Sequence, residues 1–179
     1  MKTKSAKRRR PGRSEPATAR IAQLPLPLEK ENVAVMIDHR RVNVAESARC
    51  AGHRDVRARW GHCYANACRI IWYAQGYEDA DYVEGIAVCP DGQMIEHGWV
   101  ERDGQIIDPT HARIDGVAYF PGLRLHGRAG IAEAGITDYH DRDVFHPDLP
   151  VFYCSDCRGI CHAKADAMEY LKRLTSKRP

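Results

Sequence analysis

The sequence has no long apolar run. Nothing in its 179 residues approaches the roughly 20 consecutive apolar residues that a membrane-spanning helix needs. The most apolar stretch near the basic start, residues 21–28 (IAQLPLPL), is short and contains two prolines. It therefore does not fit the apolar region of a secretory signal peptide. These absences favour a cytoplasmic protein that does not engage a membrane.

The sequence also lacks the even set of cysteines that is typical of a disulfide-bonded exported protein. It has seven cysteines, and no export signal accompanies them. Both features favour a reducing compartment, where cysteines are structural thiols, metal ligands or nucleophiles. The chain is long enough to bury a hydrophobic core without disulfides.

Charge is distributed unevenly along the chain. Residues 1–20 carry eight basic side chains and one acidic side chain, although the net charge of the whole chain is only +3. So polar a segment buries too little apolar surface to fold, and we predict that residues 1–32 are a disordered basic tail and linker. Residues 33–179 are predicted to form a single domain. Such a cationic tail can bind nucleic acid or another polyanion.

Apolar spacing predicts a helix over Cys63–Gln75. Its apolar stripe consists of Ala67, Ile70, Ile71 and Ala74. Gly76 suits the left-handed position that commonly follows a helix end.

Further segments predict several strands and a last helix. The predicted strands are Val33–Ile37, Tyr82–Cys89, Gln93–Glu101, Gln105–Asp108, Val117–Phe120 and Pro150–Tyr153. The apolar run Val33–Ile37 also fits a short buried helix, because periodicity alone does not separate the two. Pro121-Gly122 is expected to close the fifth of these, and residues 123–149 are expected to be mostly loop, with a short helix near Ala129–Ala134. The last helix is predicted over Ala163–Leu174.

The dipeptide Asp103-Gly104 predicts a tight hairpin. If it forms a two-residue turn, the pairing of every residue in the two strands is fixed. One face of the hairpin then carries His97, Trp99, Asp108 and Thr110. Asp108 is the diagonal neighbour of His97 in this register, within reach of its imidazole ring. A bulge in the turn would change which residues of the two strands share a face.

Cys63 has the position expected of a nucleophile. A cysteine reacts as a thiolate, and both a helix N-terminus and a nearby imidazolium favour that form. The backbone N–H groups of the first helical turn can also stabilise an oxyanion. We predict that Cys63 attacks an acyl carbon, that His97 exchanges the proton, and that Asp108 orients the imidazole.

Three further residues are predicted to border the substrate pocket. Trp99 is expected to flank His97 and shield it from water. His62 is expected to line the entrance, because adjacent residues at a helix start point in different directions. Trp60 either packs at the pocket or donates its indole N–H to the oxyanion, and packing is the favoured interpretation.

Together these motifs resemble the transglutaminase-like core of the papain-like cysteine enzyme superfamily. The matching motifs are Gly61-His62-Cys63, His97-Gly98-Trp99 and Asp108-Pro109-Thr110, which occur in the family's order over about residues 60–110. The resemblance implies an α+β fold in which the cysteine helix packs on an antiparallel sheet that carries the histidine and aspartate. It also implies thiol-based hydrolysis or acyl transfer at an amide or isopeptide bond of a peptide, protein or small amide, without a cofactor. Members of the family often have a longer loop between the histidine and aspartate strands, so the pocket of this chain is expected to differ in shape.

A second cluster of cysteines, near the C-terminus, has some features of a zinc site. Its candidate ligands are Cys154, Cys157, Cys161 and His162. Cys161 and His162 are adjacent, so both can rarely reach one tetrahedral ion, and no second Cys-x2-Cys pair is present. Free thiols packed near the last helix are therefore the favoured interpretation.

Three classes of function follow from these patterns. The first is the cysteine hydrolase or acyltransferase. The second is a nucleic-acid-binding module that uses the basic tail together with a small Cys/His metal site. The third is a transglutaminase-like scaffold without activity, which the complete set of Cys63, His97 and Asp108 disfavours.

Overall fold

A computed structural model describes residues 41–111, 113–136 and 158–176. This part of the chain is α+β and contains four helices: α1 (Val44–Ala51), α2 (Cys63–Tyr73), α3 (Gly127–Glu133) and α4 (Arg158–Ser176). Its four strands are β1 (Asp81–Val88), β2 (Met94–Arg102), β3 (Gln105–Ile107) and β4 (Ala118–His126). They form an antiparallel sheet in the order β3-β2-β1-β4. None of the described helices is both long and apolar enough to cross a membrane.

The β2–β3 hairpin has the predicted register. Asp103 and Gly104 have φ angles of 50° and 72°, so a two-residue turn with both central residues left-handed joins the strands. Arg102 pairs with Gln105, which is the pairing that places His97 and Asp108 on one face. Strands β1, β2 and β3 agree with the predicted segments to within one residue at each end.

Strand β4 is longer than its sequence indicates. The prediction that Pro121-Gly122 closes this strand is wrong, because β4 continues to His126. Pro121 pairs with Gly85, and Leu123 pairs with the preceding β1 residue, so Gly122 has no partner on β1. The Pro121-Gly122 dipeptide is therefore accommodated as a β-bulge. The missing N–H of proline is tolerated because β4 lies at the edge of the sheet.

The helices also differ in their bounds from the prediction. Helix α2 ends at Tyr73, and Gly76 takes its left-handed φ of 82° in the following turn. Helix α4 begins at Arg158, five residues before the predicted start. The predicted strands Val33–Ile37 and Pro150–Tyr153 lie outside the described residues, as does the basic tail.

Apolar side chains cover both faces of the sheet. Because successive strand residues point to opposite faces, Tyr82, Ile86 and Val88 of β1 share one face, where they pack against α2 and α4. The opposite face carries a second cluster formed by Val83, Ala87, Trp99, Ile106, Val117 and Tyr119. Each large apolar side chain that is fully buried contributes about 1.5–3 kcal/mol, so both faces stabilise the strand that carries His97.

Gly98 brings β2 against the beginning of α2. A Cβ atom at this position would lie 2.7 Å from Cδ1 and 3.0 Å from Cα of Tyr64, the residue after Cys63. Only glycine allows the two backbones to approach this closely. The glycine between His97 and Trp99 therefore sets the distance between the histidine strand and the cysteine helix.

We predict that Gly98→Ala lowers the free energy of unfolding by about 1–3 kcal/mol, because the added methyl group must displace the backbone of α2. Urea unfolding measures this loss. Gly52→Ala is the matched control, since a Cβ there would meet nothing closer than 3.6 Å and the backbone φ is −82°. Equal stability of the two variants would contradict the close approach.

Candidate active site

The loop before Cys63 is fixed by a side chain of the helix that Cys63 begins. Cys63 is the first residue of α2, and 9% of it is exposed. One turn further on, the buried Asn66 accepts a hydrogen bond from the backbone N–H of Arg59 at 3.0 Å and donates one to its carbonyl at 2.7 Å. Asn66 also donates to Oγ1 of Thr110 at 3.0 Å. The start of α2 is thereby attached to the segment that follows β3.

Asp108 accepts four hydrogen bonds although it is completely buried. Its Oδ1 accepts the backbone N–H groups of Thr110 at 2.8 Å and His111 at 3.0 Å. Its Oδ2 accepts the hydroxyl of Tyr119 at 2.7 Å and faces Nε2 of His97 at 2.8 Å. These donors satisfy a charge that would otherwise be very costly to bury, and they hold the carboxylate in one orientation.

A side chain of α1 holds the backbone of the same aspartate. The N–H of Asp108 donates to Oγ of Ser47 at 2.9 Å, and this hydroxyl donates to the carbonyl of Asn43 at 2.7 Å. Asn43 in turn caps the N-terminus of α1 by accepting the N–H of Glu46 at 2.9 Å. The carboxylate position therefore depends on α1 as well as on the sheet.

The imidazole of His97 has its two nitrogens in different surroundings. Nε2 faces Asp108 and lies 3.2 Å from Nδ1 of His111. Nδ1 is buried, and no hydrogen bond of good geometry reaches it from the described residues. Cys63 contributes to the raised pKa of this ring, so its side chain lies near the imidazole. Nδ1 is the ring nitrogen that Asp108 and His111 leave unoccupied.

The site maintains a buried charge pair. Burial by itself lowers the pKa of His97, but the charge and hydrogen bond of Asp108, and then Cys63, outweigh burial and raise it to about 10. Burial raises the pKa of Asp108, but the charge and hydrogen bond of His97, together with Tyr119 and the His111 backbone, lower it to about 2. At neutral pH His97 is therefore an imidazolium beside an ionised carboxylate.

Two residues of the site were not identified from the sequence. His111 is 8% exposed, and its ring meets the His97 ring edge-on with centroids 4.4 Å apart. Burial and the His97 charge lower its pKa, so His111 is neutral at pH 7. Burial and the Asp108 charge raise the pKa of Tyr119, which keeps its hydroxyl a donor. The only sequence signal for His111 is its position three residues after Asp108, and Tyr119 carries none.

The three predicted pocket residues have different surroundings. Trp60 is 73% exposed, and its ring lies 4.9 Å from that of His111. His62 occupies the N-cap of α2 without a capping hydrogen bond from its side chain. Trp99 stacks on His97 with centroids 6.1 Å apart, but it has no exposed surface. It supports the imidazole from behind and cannot line a pocket that a substrate enters.

The structure offers metal ligands at a different place from the predicted one. Among the described residues, His97, Asp108 and His111 form a group that could hold a metal ion, with one ligand atom from each residue and all three atoms within 4.8 Å of one another. Of the predicted zinc ligands, Cys161 and His162 are exposed on α4. Cys154 and Cys157 lie outside the described residues, so the C-terminal cluster stays a prediction.

No family model, curated protein or solved structure matches this chain. Function therefore has to be inferred from the geometry and chemistry of the site.

We expect the His97 imidazole to titrate near pH 10, because Asp108 and Cys63 outweigh burial. Asp108→Asn removes the neighbouring negative charge, so the pKa of His97 should fall by about 1–3 pH units. NMR chemical shifts of the ring, followed against pH, measure this change. Asp81→Asn, which alters an exposed His126–Asp81 pair, should leave the His97 curve in place. An unshifted curve in Asp108→Asn would contradict the charge pair.

The charge pair should also make stability depend on pH. His97 binds its proton more tightly when folded (about 10 against 6.5), so its contribution is complete below pH 6.5 and is lost as pH rises through 10. Asp108 is more acidic when folded (about 2 against 3.8), so its contribution is complete above pH 3.8 and is lost as pH falls through 2.

Urea unfolding of wild type and His97→Gln at several pH values measures this dependence. The difference in the free energy of unfolding should be largest between pH 3.8 and 6.5 and should shrink toward pH 10. A difference that stays constant from pH 5 to 10 would show that the pair is not charged as inferred.

Proposed function

We propose that this chain is a cysteine enzyme with a transglutaminase-like, papain-like core, which cleaves or transfers the acyl group of an amide or isopeptide bond. The observation that carries the proposal is that the two ring nitrogens of His97 have different surroundings. Its Nε2 is engaged by Asp108 at 2.8 Å, and its Nδ1 is left for the Cys63 thiol. This arrangement leaves one ring nitrogen for a nucleophile and gives the other to an orienting carboxylate, as covalent catalysis requires.

The first half of the proposed reaction forms a thioester. The Cys63 sulfur attacks the carbonyl carbon of the substrate as a thiolate beside the His97 imidazolium, and the carbonyl oxygen becomes an oxyanion. Backbone N–H groups in the first turn of α2 are available to stabilise that oxyanion. His97 donates its Nδ1 proton to the departing nitrogen, the C–N bond breaks, and an amine leaves. Asp108 stabilises the imidazolium before this transfer and keeps the neutral ring in place after it.

The second half releases the acyl group. His97, now neutral, accepts a proton at Nδ1 from water or from an amine, and the resulting nucleophile attacks the thioester carbon. The C–S bond breaks, the sulfur leaves as a thiolate, and His97 is again an imidazolium. The product is an acid if water attacks and a new amide if an amine attacks. Exclusion of water from the site would favour the amine.

The surroundings of the pair suit an extended amide substrate. Trp60 presents most of its ring to solvent beside His111, and the fully buried Trp99 closes the site from the other side of His97. An exposed aromatic ring such as that of Trp60 commonly holds apolar parts of a ligand. The basic tail lies outside the described residues, and its binding to a polyanion remains a separate proposal.

Alkylation by iodoacetamide, followed by mass spectrometry of each cysteine, tests whether Cys63 is activated. If reactivity followed exposure, the exposed Cys161 would react before the 9%-exposed Cys63. We expect the opposite order. In His97→Gln the rate at Cys63 should fall by about tenfold or more, because the imidazolium that favours the thiolate is gone.

Cys161 serves as the internal reference in each variant, because its rate should not change. Asp108→Asn should also slow the reaction at Cys63, and Asp81→Asn should not. Equal alkylation rates of Cys63 in wild type and His97→Gln would reject the enzyme and leave a scaffold as the interpretation. A panel of acyl donors, with and without an amine acceptor and with Cys63→Ala as the blank, then separates hydrolysis from acyl transfer.

A further inference from the structure

We propose that His97, Asp108 and His111 form a zinc site that switches the thiol chemistry off when the ion binds. The ligand atoms are Nε2 of His97, Oδ2 of Asp108 and Nδ1 of His111. The binding site itself follows from these three residues. The inhibitory effect rests on the function proposed above.

The three atoms are spaced as a tetrahedral ion requires. Nε2 of His97 lies 2.8 Å from Oδ2 of Asp108 and 3.2 Å from Nδ1 of His111, and the separation between Asp108 and His111 is 3.8 Å. A tetrahedral zinc with bonds of about 2.0–2.1 Å keeps its ligand atoms about 3.3–3.4 Å apart. The observed separations lie on both sides of that value, so only small side-chain rotations are needed.

The surrounding residues support the ligands as those of a metal site usually do. Tyr119 donates to the ligating oxygen of Asp108, and two backbone N–H groups hold its other oxygen. Hydrogen bonds of this kind orient a carboxylate ligand and are a regular part of zinc sites. A neutral imidazole such as His111 can offer the free electron pair of one ring nitrogen to the ion.

The ion has a way in from the side of His111. The side chain of His111 is 10% exposed, whereas those of His97 and Asp108 are completely buried. The exposed ring of Trp60 lies against His111 at that point. Water from this side can fill the fourth position of the ion. Two imidazoles and a carboxylate suit zinc better than calcium or magnesium, which prefer oxygen ligands.

Zinc binding would stop proton exchange at Nδ1 of His97, the nitrogen that is proposed to serve the thiol. The ion replaces the Nε2 proton of His97, and this proton goes to solvent. The neutral ring then keeps its remaining proton on Nδ1, beside Cys63. That nitrogen can no longer accept a proton from water or an amine, and the Asp108–His97 hydrogen bond is lost. The thioester could then neither form efficiently nor be released.

Cobalt titration of the full-length Cys63→Ala protein tests the site, because Co²⁺ takes the place of zinc and is visible in absorption. We expect one equivalent to give visible bands of four-coordinate cobalt that disappear in Cys63→Ala/His111→Gln. Loss of the His111 ligand should lower the affinity of the protein for this first equivalent of cobalt by about 100-fold or more. Cobalt held by the C-terminal cysteines would show an intense sulfur charge-transfer band, so the two sites are distinguishable.

His126→Gln is the matched control. This substitution removes the imidazole of a second histidine–aspartate pair, in which His126 Nδ1 lies 2.8 Å from Asp81 Oδ1. The separation is the same as in the His97–Asp108 pair, but the His126 pair is exposed and no second histidine joins it among the described residues. Binding should be unchanged in this variant. If His111→Gln is not folded by circular dichroism, His97→Gln takes its place, since it removes another ligand. Cobalt bands of equal strength with and without the ligand histidine would overturn the proposal.

Turnover of an acyl donor that wild type uses, measured with and without Zn²⁺, tests the inhibition. Zinc should slow this turnover in wild type by about tenfold or more and should have no such effect in His111→Gln. Alkylation of Cys63 by iodoacetamide should change little in either protein, because the Nδ1 proton and a positive charge stay beside the sulfur. Equal inhibition in both proteins, or protection of Cys63 from alkylation, would mean that zinc binds the thiol itself, which would overturn the proposed switch. Failure of the proposed enzyme has a different signature, since Cys63 would then be unreactive in metal-free wild type.

Discussion

The Asp108 carboxylate is the group on which the rest of the site depends. A buried charge costs several kcal/mol unless it is paired and fully hydrogen-bonded. Here the four donors come from His97 on β2, from the turn after β3, and from Tyr119 on β4. Satisfying one carboxylate therefore ties together two strands and a turn that are separate in sequence. Removal of any one donor would leave part of the charge unpaired.

The same carboxylate decides which nitrogen of His97 stays available. Because Asp108 holds Nε2, Nδ1 is the ring nitrogen without a hydrogen-bond partner among the described residues. The close approach of Gly98 to Tyr64 brings the histidine strand and the cysteine helix together at that point. The orientation of the His97 imidazole and the proximity of the cysteine helix thus have different physical origins, a charge in one case and the absence of a side chain in the other.

His111 gives the site a second possible state. With a proton on Nε2, His97 pairs with Asp108, which is the state that the proposed thiol chemistry uses. With a metal ion on Nε2, the same three atoms of His97, Asp108 and His111 become ligands. Protons and zinc ions compete for the same lone pairs in many proteins. A second imidazole beside a buried histidine–aspartate pair is enough to create this competition.

Several elements could be predicted from the sequence because their causes are local. Asp103-Gly104 accepts two left-handed residues, so it determines the turn, the register and the placement of His97 and Asp108 on one face. The apolar spacing after Cys63 likewise determines the helix. The prediction for β4 failed because a proline is compatible with a strand only at a sheet edge or a bulge. Whether β4 lies at an edge depends on the order of all four strands.

The sequence by itself therefore determined the hairpin, the cysteine helix and the alignment of Cys63, His97 and Asp108 as a candidate set. Only the tertiary structure decided that Tyr119 and His111 join them, that Trp99 has no exposed surface, and that Gly98 contacts Tyr64. The physical reason is the separation along the chain over which each interaction acts. Turn geometry and side-chain alternation act between near neighbours, whereas the partners of a buried charge are chosen by the packing of distant segments.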